Sequence, residues 1–191
     1  MDQNTPKHQA LCRMLIDDKM IDKYKICEGT LLQRYVIGTF YLTTGLNTDL
    51  FDLSNTETCD WPGVKCDRSG RFIEELNMTN VARDPSLKGT LITEIGLLNR
   101  LKKIDLSNNE LEGTLDPIIF KNMNNLEIIN LASNNFEGRL PTKLFELSSI
   151  SHIDISNNTL GGDLPDGIAY SESLGKLLYE NGVTCVPFSK Q

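Results

Sequence analysis

The chain has 191 residues, enough for one domain or two small ones, and its 39% hydrophobic and 24% charged content is that of a globular protein. A formal net charge of -7 excludes a nucleic-acid backbone or an anionic membrane surface as the default partner. No run of roughly 18 apolar residues occurs, so no membrane-spanning segment is predicted.

Residues 1–28 read as an N-terminal extension. The first eight look frayed, and Leu11, Met14, Leu15, Ile21 and Tyr24 suit one or two short helices. The first thirty residues lack the basic start and apolar core of a secretory leader. If the protein begins here, the expectation is a cytoplasmic chain; otherwise its targeting lies outside these residues.

Residues 29–71 form a predicted N-terminal cap. Thr30 is the expected helix N-cap, with the helix running to about Leu42 and stopping near Gly45. Its apolar face would be Leu31, Leu32, Tyr35, Val36, Phe40 and Tyr41. Residues 46–58 read as a loop. The stretch that follows, CDWPGVKCD, turns at Pro62-Gly63, and Trp61 is expected to pack over the first coil rather than to bind a partner.

The cysteines are Cys12, Cys27, Cys59, Cys66 and Cys185. Cys59 and Cys66 stand close enough to close a short loop, worth about 2 kcal/mol as a disulfide. The alternative for all five is a small buried thiol. There is no C-x-x-C, and both histidines are far from the cysteines, so neither a metal nor another cofactor is expected.

Residues 72–173 are repeats. LKKIDLSNNELEG starts at Leu101, LEIINLASNNFEG at Leu126 and ISHIDISNNTLGG at Ile150. Four apolar positions recur in register. So do an asparagine (Asn109, Asn134, Asn158) and a glycine (Gly113, Gly138, Gly162). Each repeat opens with a short strand, so Ile104 and Leu106, Ile129 and Leu131, and Ile153 and Ile155 point to one side. Only stacked coils can bury such a face, which predicts a solenoid of about four coils. The asparagines carry two donors and an acceptor, and are expected to satisfy backbone groups of their own coil and the next. A first, imperfect coil keeps Ile73, Leu76 and Met78, but its return arm is delayed by extra residues within NVARDPS. The backs of the coils repeat Gly-x-Leu at Leu91, Leu115, Leu140 and Leu164, followed by stretches suited to a short 3₁₀ or helical turn. Residues 174–191 lose the template after Leu174 and Leu177. They read as a C-terminal cap, with Cys185 and Phe188 over the last coil.

The repeat resembles the plant-type leucine-rich repeat, L-x-x-L-x-x-L-x-L-x-x-N-x-L-x-G-x-[IL]-P, most closely over residues 123–141. Cys59, Trp61, Gly63, Val64 and Cys66 resemble the cap motif C-x-W-x-G-V-x-C, and LLQRYVIGTFYLTTG resembles the helix leading into it, as in repeat proteins of diatoms and related algae. The resemblance spans residues 29 to 185. The loop after Gly45 lacks the tryptophans usual there, and the coils are far fewer than in receptor ectodomains. What it implies is an α/β solenoid with a Cys59–Cys66 disulfide, an extracellular or cell-surface home, and a receptor-like role in signalling at a membrane.

On such a solenoid the outward strand positions are Glu75, Asn77, Lys103, Asp105, Asn130, His152 and Asp154, forming a small, polar, slightly acidic face. Its expected partner is a protein or peptide, with carbohydrate also possible. A soluble inhibitor or structural repeat protein is the alternative. No aromatic anchor stands on this face. Asn77 and Asn157 each head a glycosylation triplet. No nucleophile–base pair and no phosphate-binding glycine loop is found, so no enzyme is expected.

Overall fold

The computed structural model describes residues 28–46, 56–79, 86–162 and 176–178. The extension before Glu28, most of the 46–58 loop, residues 80–85 of NVARDPS, Leu164, and Cys185 with Phe188 lie outside the described residues.

Helix α1 spans Glu28–Thr43. The strands are β1 (Val64–Cys66), β2 (Ile73–Asn77), β3 (Lys88–Thr90), β4 (Lys103–Asp105), β5 (Glu110–Thr114), β6 (Ile128–Asn130), β7 (Asn135–Gly138), β8 (His152–Asp154), β9 (Thr159–Leu160) and β10 (Lys176–Leu178). Short 3₁₀ turns at Thr93–Leu97 and Pro117–Phe120, and a single helical turn α2 at Thr142–Phe145, line the backs of successive coils.

Two sheets run along the solenoid. One has the order β1-β2-β4-β6-β8-β10; β1 and β2 are an antiparallel hairpin and every later pair is parallel. The other, β3-β5-β7-β9, is parallel throughout. The sequence reading did not anticipate this second sheet, because its strands carry one inward residue each: Leu111, Phe136 and Leu160 sit alone between polar neighbours.

Register does the rest. Leu76, Ile104, Ile129 and Ile153 stand opposite one another across β2, β4, β6 and β8 and are buried. Met78, Leu106, Leu131 and Ile155 form the next buried ladder, and Leu101, Leu126 and Ile150 a third. Leu91, Leu115 and Leu140 close the core from the other side, above Ile95, Ile119 and Leu144. One coil alone would leave each of these in water; neighbours above and below complete the burial.

The cap helix buries most of the expected face, with two departures. Thr30 lies inside α1 rather than capping it, and Leu32 is exposed, while Val36, Ile37, Phe40 and Tyr41 are fully buried. Gln33, Arg34 and Thr39 are polar residues on the buried side, and the first two decide the rotation. Gln33 takes the edge of the cap hairpin where the chain enters β2, donating to Arg71 O at 3.0 Å and accepting from Ile73 N at 2.7 Å. Arg34 donates to Thr56 O at 2.8 Å and lies 4.5 Å over the Trp61 ring. Buried polar groups need such partners, so these two fix the helix where an apolar face alone would not. Trp61 is buried beneath them, donates from Nε1 to Thr56 Oγ1, and packs against Tyr41. Burial pushes the Tyr41 phenol far up, and its hydroxyl donates to Pro62 O. Cys59 and Cys66 are joined by a disulfide at the loop end of the hairpin, where Cys66 faces Ile73. Replacing both by serine should cost about 2 kcal/mol, read as a lowered midpoint in chemical denaturation.

Each coil leaves the first sheet through a left-handed residue: Asn108 (φ 58°), Ser133 (φ 57°) and Asn157 (φ 52°). Asparagine tolerates this region far better than serine. Ser133→Asn should therefore stabilise the chain by about 0.5 kcal/mol, a shift that thermal unfolding would register.

Candidate functional site

The outer face of the six-stranded sheet brings the candidate residues together. Glu75, Lys103, Ile128 and His152 stand in one column, and Asn77, Asp105, Asn130 and Asp154 in the next. Parallel pairing spaces neighbours in a column by about 4.8 Å, which suits an extended ligand lying across the strands.

The two columns are chemically unlike. Every residue of the second turns one oxygen back on its own chain. Asn77 Oδ1 accepts from Thr79 N and Thr79 Oγ1, at 3.1 and 2.8 Å. Asp105 Oδ1 accepts from Ser107 N and Oγ, Asn130 Oδ1 from Ala132 N, and Asp154 Oδ1 from Ser156 N and Oγ. Each is a side-chain turn that ends its strand. At Asn77, Asp105 and Asp154 an Asx-x-Ser/Thr spacing is the sequence signal for this; Asn130, followed by Ala132, makes the same turn without it. Half of this column's hydrogen-bonding capacity is therefore structural, and a ligand meets only the remaining oxygens and amides. In the first column Lys65 pairs with Glu75, and Lys103 approaches Asp105 Oδ2 at 3.8 Å. Ile128 is half-buried and His152 is exposed, its Nδ1 2.9 Å from Ser151 Oγ. Two charged residues at one end, then an apolar residue and an imidazole, give this column the variety that recognition needs.

Beneath the face the asparagines brace the strands. Asn134 Nδ2 donates to Leu131 O and Ala132 O of its own coil and to Leu106 O of the preceding one, while its Oδ1 accepts from Leu111 N. Asn158 repeats the pattern with Ile155 O, Ser156 O, Leu131 O and Phe136 N. Asn109 does so with Leu106 O, Ser107 O, Met78 O and Leu87 N. The reach is toward the preceding coil, not the following one as expected, because the side chain turns inward where the preceding strand's carbonyls point.

Among the described residues no group of three or more His, Cys, Asp or Glu is placed to hold a metal ion, and no helix is long and apolar enough to cross a membrane.

A family model described as "Leucine rich repeat" matches residues 99–160. The chain is a plant-type leucine-rich repeat module with an amino-terminal cap. This leucine-rich repeat module is 35% identical over 114 residues to Receptor-like protein 50 of Arabidopsis thaliana, covering 58% of this chain and 12% of that protein. It is 36% identical over 161 residues to Receptor-like protein 7 of the same plant, covering 72% of this chain and 16% of the relative. The module thus spans only about an eighth of the length of the first of these. Among solved structures, the PEPR1–AtPEP1 complex matches with a TM-score of 0.63 at 26% identity, over 74% of this chain and 20% of that one. A plant ice-binding protein matches with a TM-score of 0.71 at 22% identity, over 82% and 49%, and speaks for the fold alone.

Proposed function

We propose that the module recognises a protein or peptide ligand through the outer face of the six-stranded sheet, as part of a receptor-like protein outside the cell or at its surface. The register-locked column Glu75, Lys103, Ile128, His152 carries this reading, since it sets charge, apolar contact and imidazole along one line. Asn77, Asp105, Asn130 and Asp154 line the ligand's other edge through their free atoms. The receptor-like names of the relatives and a disulfide of the kind kept in oxidising compartments support the same reading.

An array of peptides and oligosaccharides, probed with the intact chain, tests the idea. Any specific ligand should lose roughly tenfold or more in affinity on Lys103→Glu or His152→Ala, with Glu137→Ala on the other sheet as control. A ligand indifferent to the first two substitutions and sensitive to the third would sink the proposal.

A further inference from the structure

Five described lysines are matched with carboxylates. Lys65 pairs with Glu75, Lys88 with Glu110, Lys102 with Glu74, Lys103 with Asp105 and Lys143 with Glu146. Of the exposed, described lysines and arginines without such a carboxylate, Lys121 and Arg139 lie on later coils; the others are Arg68, Arg71 and Arg100. They gather at one place on a chain whose net charge is -7. Arg68 and Arg71 lie on the loop that joins β1 to β2, and Arg100 sits 5.3 Å over the ring of Phe72 at the end of that loop. Phe72 is 37% exposed, an unusual position for a phenylalanine.

The loop is held still. Asp67 N donates to Phe72 O at 2.8 Å, and the Asp67 carboxylate accepts from Ser69 Oγ, Arg71 N and Phe72 N. Gln33 anchors Arg71 O from behind, and the Cys59–Cys66 disulfide ties the end of β1 where the loop begins. A surface already ordered loses little entropy on binding. Arginine and exposed aromatic residues are the groups that most often dominate interfaces, and a guanidinium matches a carboxylate with two parallel hydrogen bonds.

We propose that the loop Asp67–Phe72, together with Arg100, is a docking surface for an acidic peptide segment, with Phe72 taking an apolar side chain and the three guanidinium groups taking the carboxylates that flank it. Charge complementarity selects the partner: the rest of this acidic chain repels such a segment, and this loop attracts it. The surface joins the β1–β2 loop to Arg100 of the turn before β4, and shares no residue with the two columns of the outer sheet face. A uniform anionic glycan would be held by charge alone and would tolerate loss of the ring, which separates it from a peptide.

The test uses the intact chain and a fluorescent synthetic peptide in which a leucine is flanked by aspartates and glutamates. Anisotropy should show saturable binding that weakens as salt rises, and no binding of the same peptide with lysines in place of its acids. Arg71→Glu combined with Arg100→Glu should weaken binding roughly tenfold or more, and Phe72→Ala several-fold. A photoreactive version of the peptide, crosslinked to the unaltered chain, should label fragments containing Phe72 or Arg100. Failure of the unaltered chain to prefer the acidic peptide overturns the proposal, as does crosslinking to the sheet face. Binding that Phe72→Ala leaves intact and polygalacturonate displaces would assign the surface to anionic glycans instead. Only crosslinking to the sheet face bears on the sheet-face reading, which has its own test on Lys103 and His152.

Discussion

Asn134→Ala should cost about 3 kcal/mol, a large share of the stability of a domain this size, and equilibrium unfolding in urea should show it. The side chain is buried and serves four backbone groups: the carbonyls of Leu106, Leu131 and Ala132, and the amide of Leu111. Alanine leaves the Leu111 amide without an acceptor where water has no access, at up to about 3 kcal/mol, and takes one donor from each of three carbonyls that keep another: Asn109 Nδ2 on Leu106, Asn158 Nδ2 on Leu131 and Asn108 N on Ala132. Two coils are affected, since Leu106 and Leu111 belong to the preceding one. Asn134→Asp separates the donor role from the acceptor role. The aspartate still accepts from Leu111 N, but when ionised it faces three carbonyl oxygens with a negative charge and no proton to offer. Burial and those carbonyls would raise its folded pKa above the unfolded value, so the penalty grows as pH rises and shrinks at acid pH, where the protonated acid donates once. A loss that did not depend on pH, or an alanine variant within about 0.5 kcal/mol of the parent, would remove the asparagine ladder from among the determinants of the fold.

The repeat was legible because burial in a solenoid is periodic in sequence. Ile104, Ile129 and Ile153 share an offset, and that offset is what places them opposite one another across three strands. The asparagines were legible for the same reason, although the direction of their reach was not. Periodicity says that a side chain recurs, while the choice between the carbonyls above and below depends on how the strand exits. The second sheet left too faint a mark, one apolar residue per strand being below what alternation can reveal. In the cap there is no repetition to read. Gln33 and Arg34 look like a helix's solvated residues, and only the hairpin edge presented by Arg71 and Ile73 makes their burial favourable. The arginine-rich loop was missed likewise, because Arg100 is remote in sequence from Arg68 and Arg71 and meets their loop only through the coil. On the outer face, the positions followed from strand alternation, but the partial commitment of Asn77, Asp105, Asn130 and Asp154 to their own turns did not.

Gly63→Ala is expected to be about as damaging as the asparagine change, and its comparison with Gly45→Ala isolates the reason. Both glycines have positive φ, 76° and 72°, so each alanine suffers the left-handed penalty of about 1–2 kcal/mol. At Gly45 nothing lies within 4 Å of the added carbon, and the penalty ends there. At Gly63 the new Cβ would stand 2.2 Å from Asn77 O and 2.6 Å from Met78 Sδ. The sulfur can move, but the carbonyl cannot easily do so. Asn77 N donates to Gly63 O at 2.7 Å and Met78 N to Asp105 O, so Asn77 is fixed to the cap on one side and to the second coil on the other. Relief therefore means parting β1 from β2 at the point where the disulfide-tied hairpin seats on the solenoid. Overpacking of this kind adds about 1–3 kcal/mol, for a total of about 2–5 kcal/mol against about 1–2 for Gly45→Ala. The hairpin that would be displaced also carries the arginine loop, so Gly63→Ala should weaken acidic-peptide binding even where the chain remains folded, whereas Gly45→Ala should not. Equal unfolding midpoints for the two alanine variants would mean that the cap yields at Asn77, and that the close approach of hairpin and coil is not what seats it.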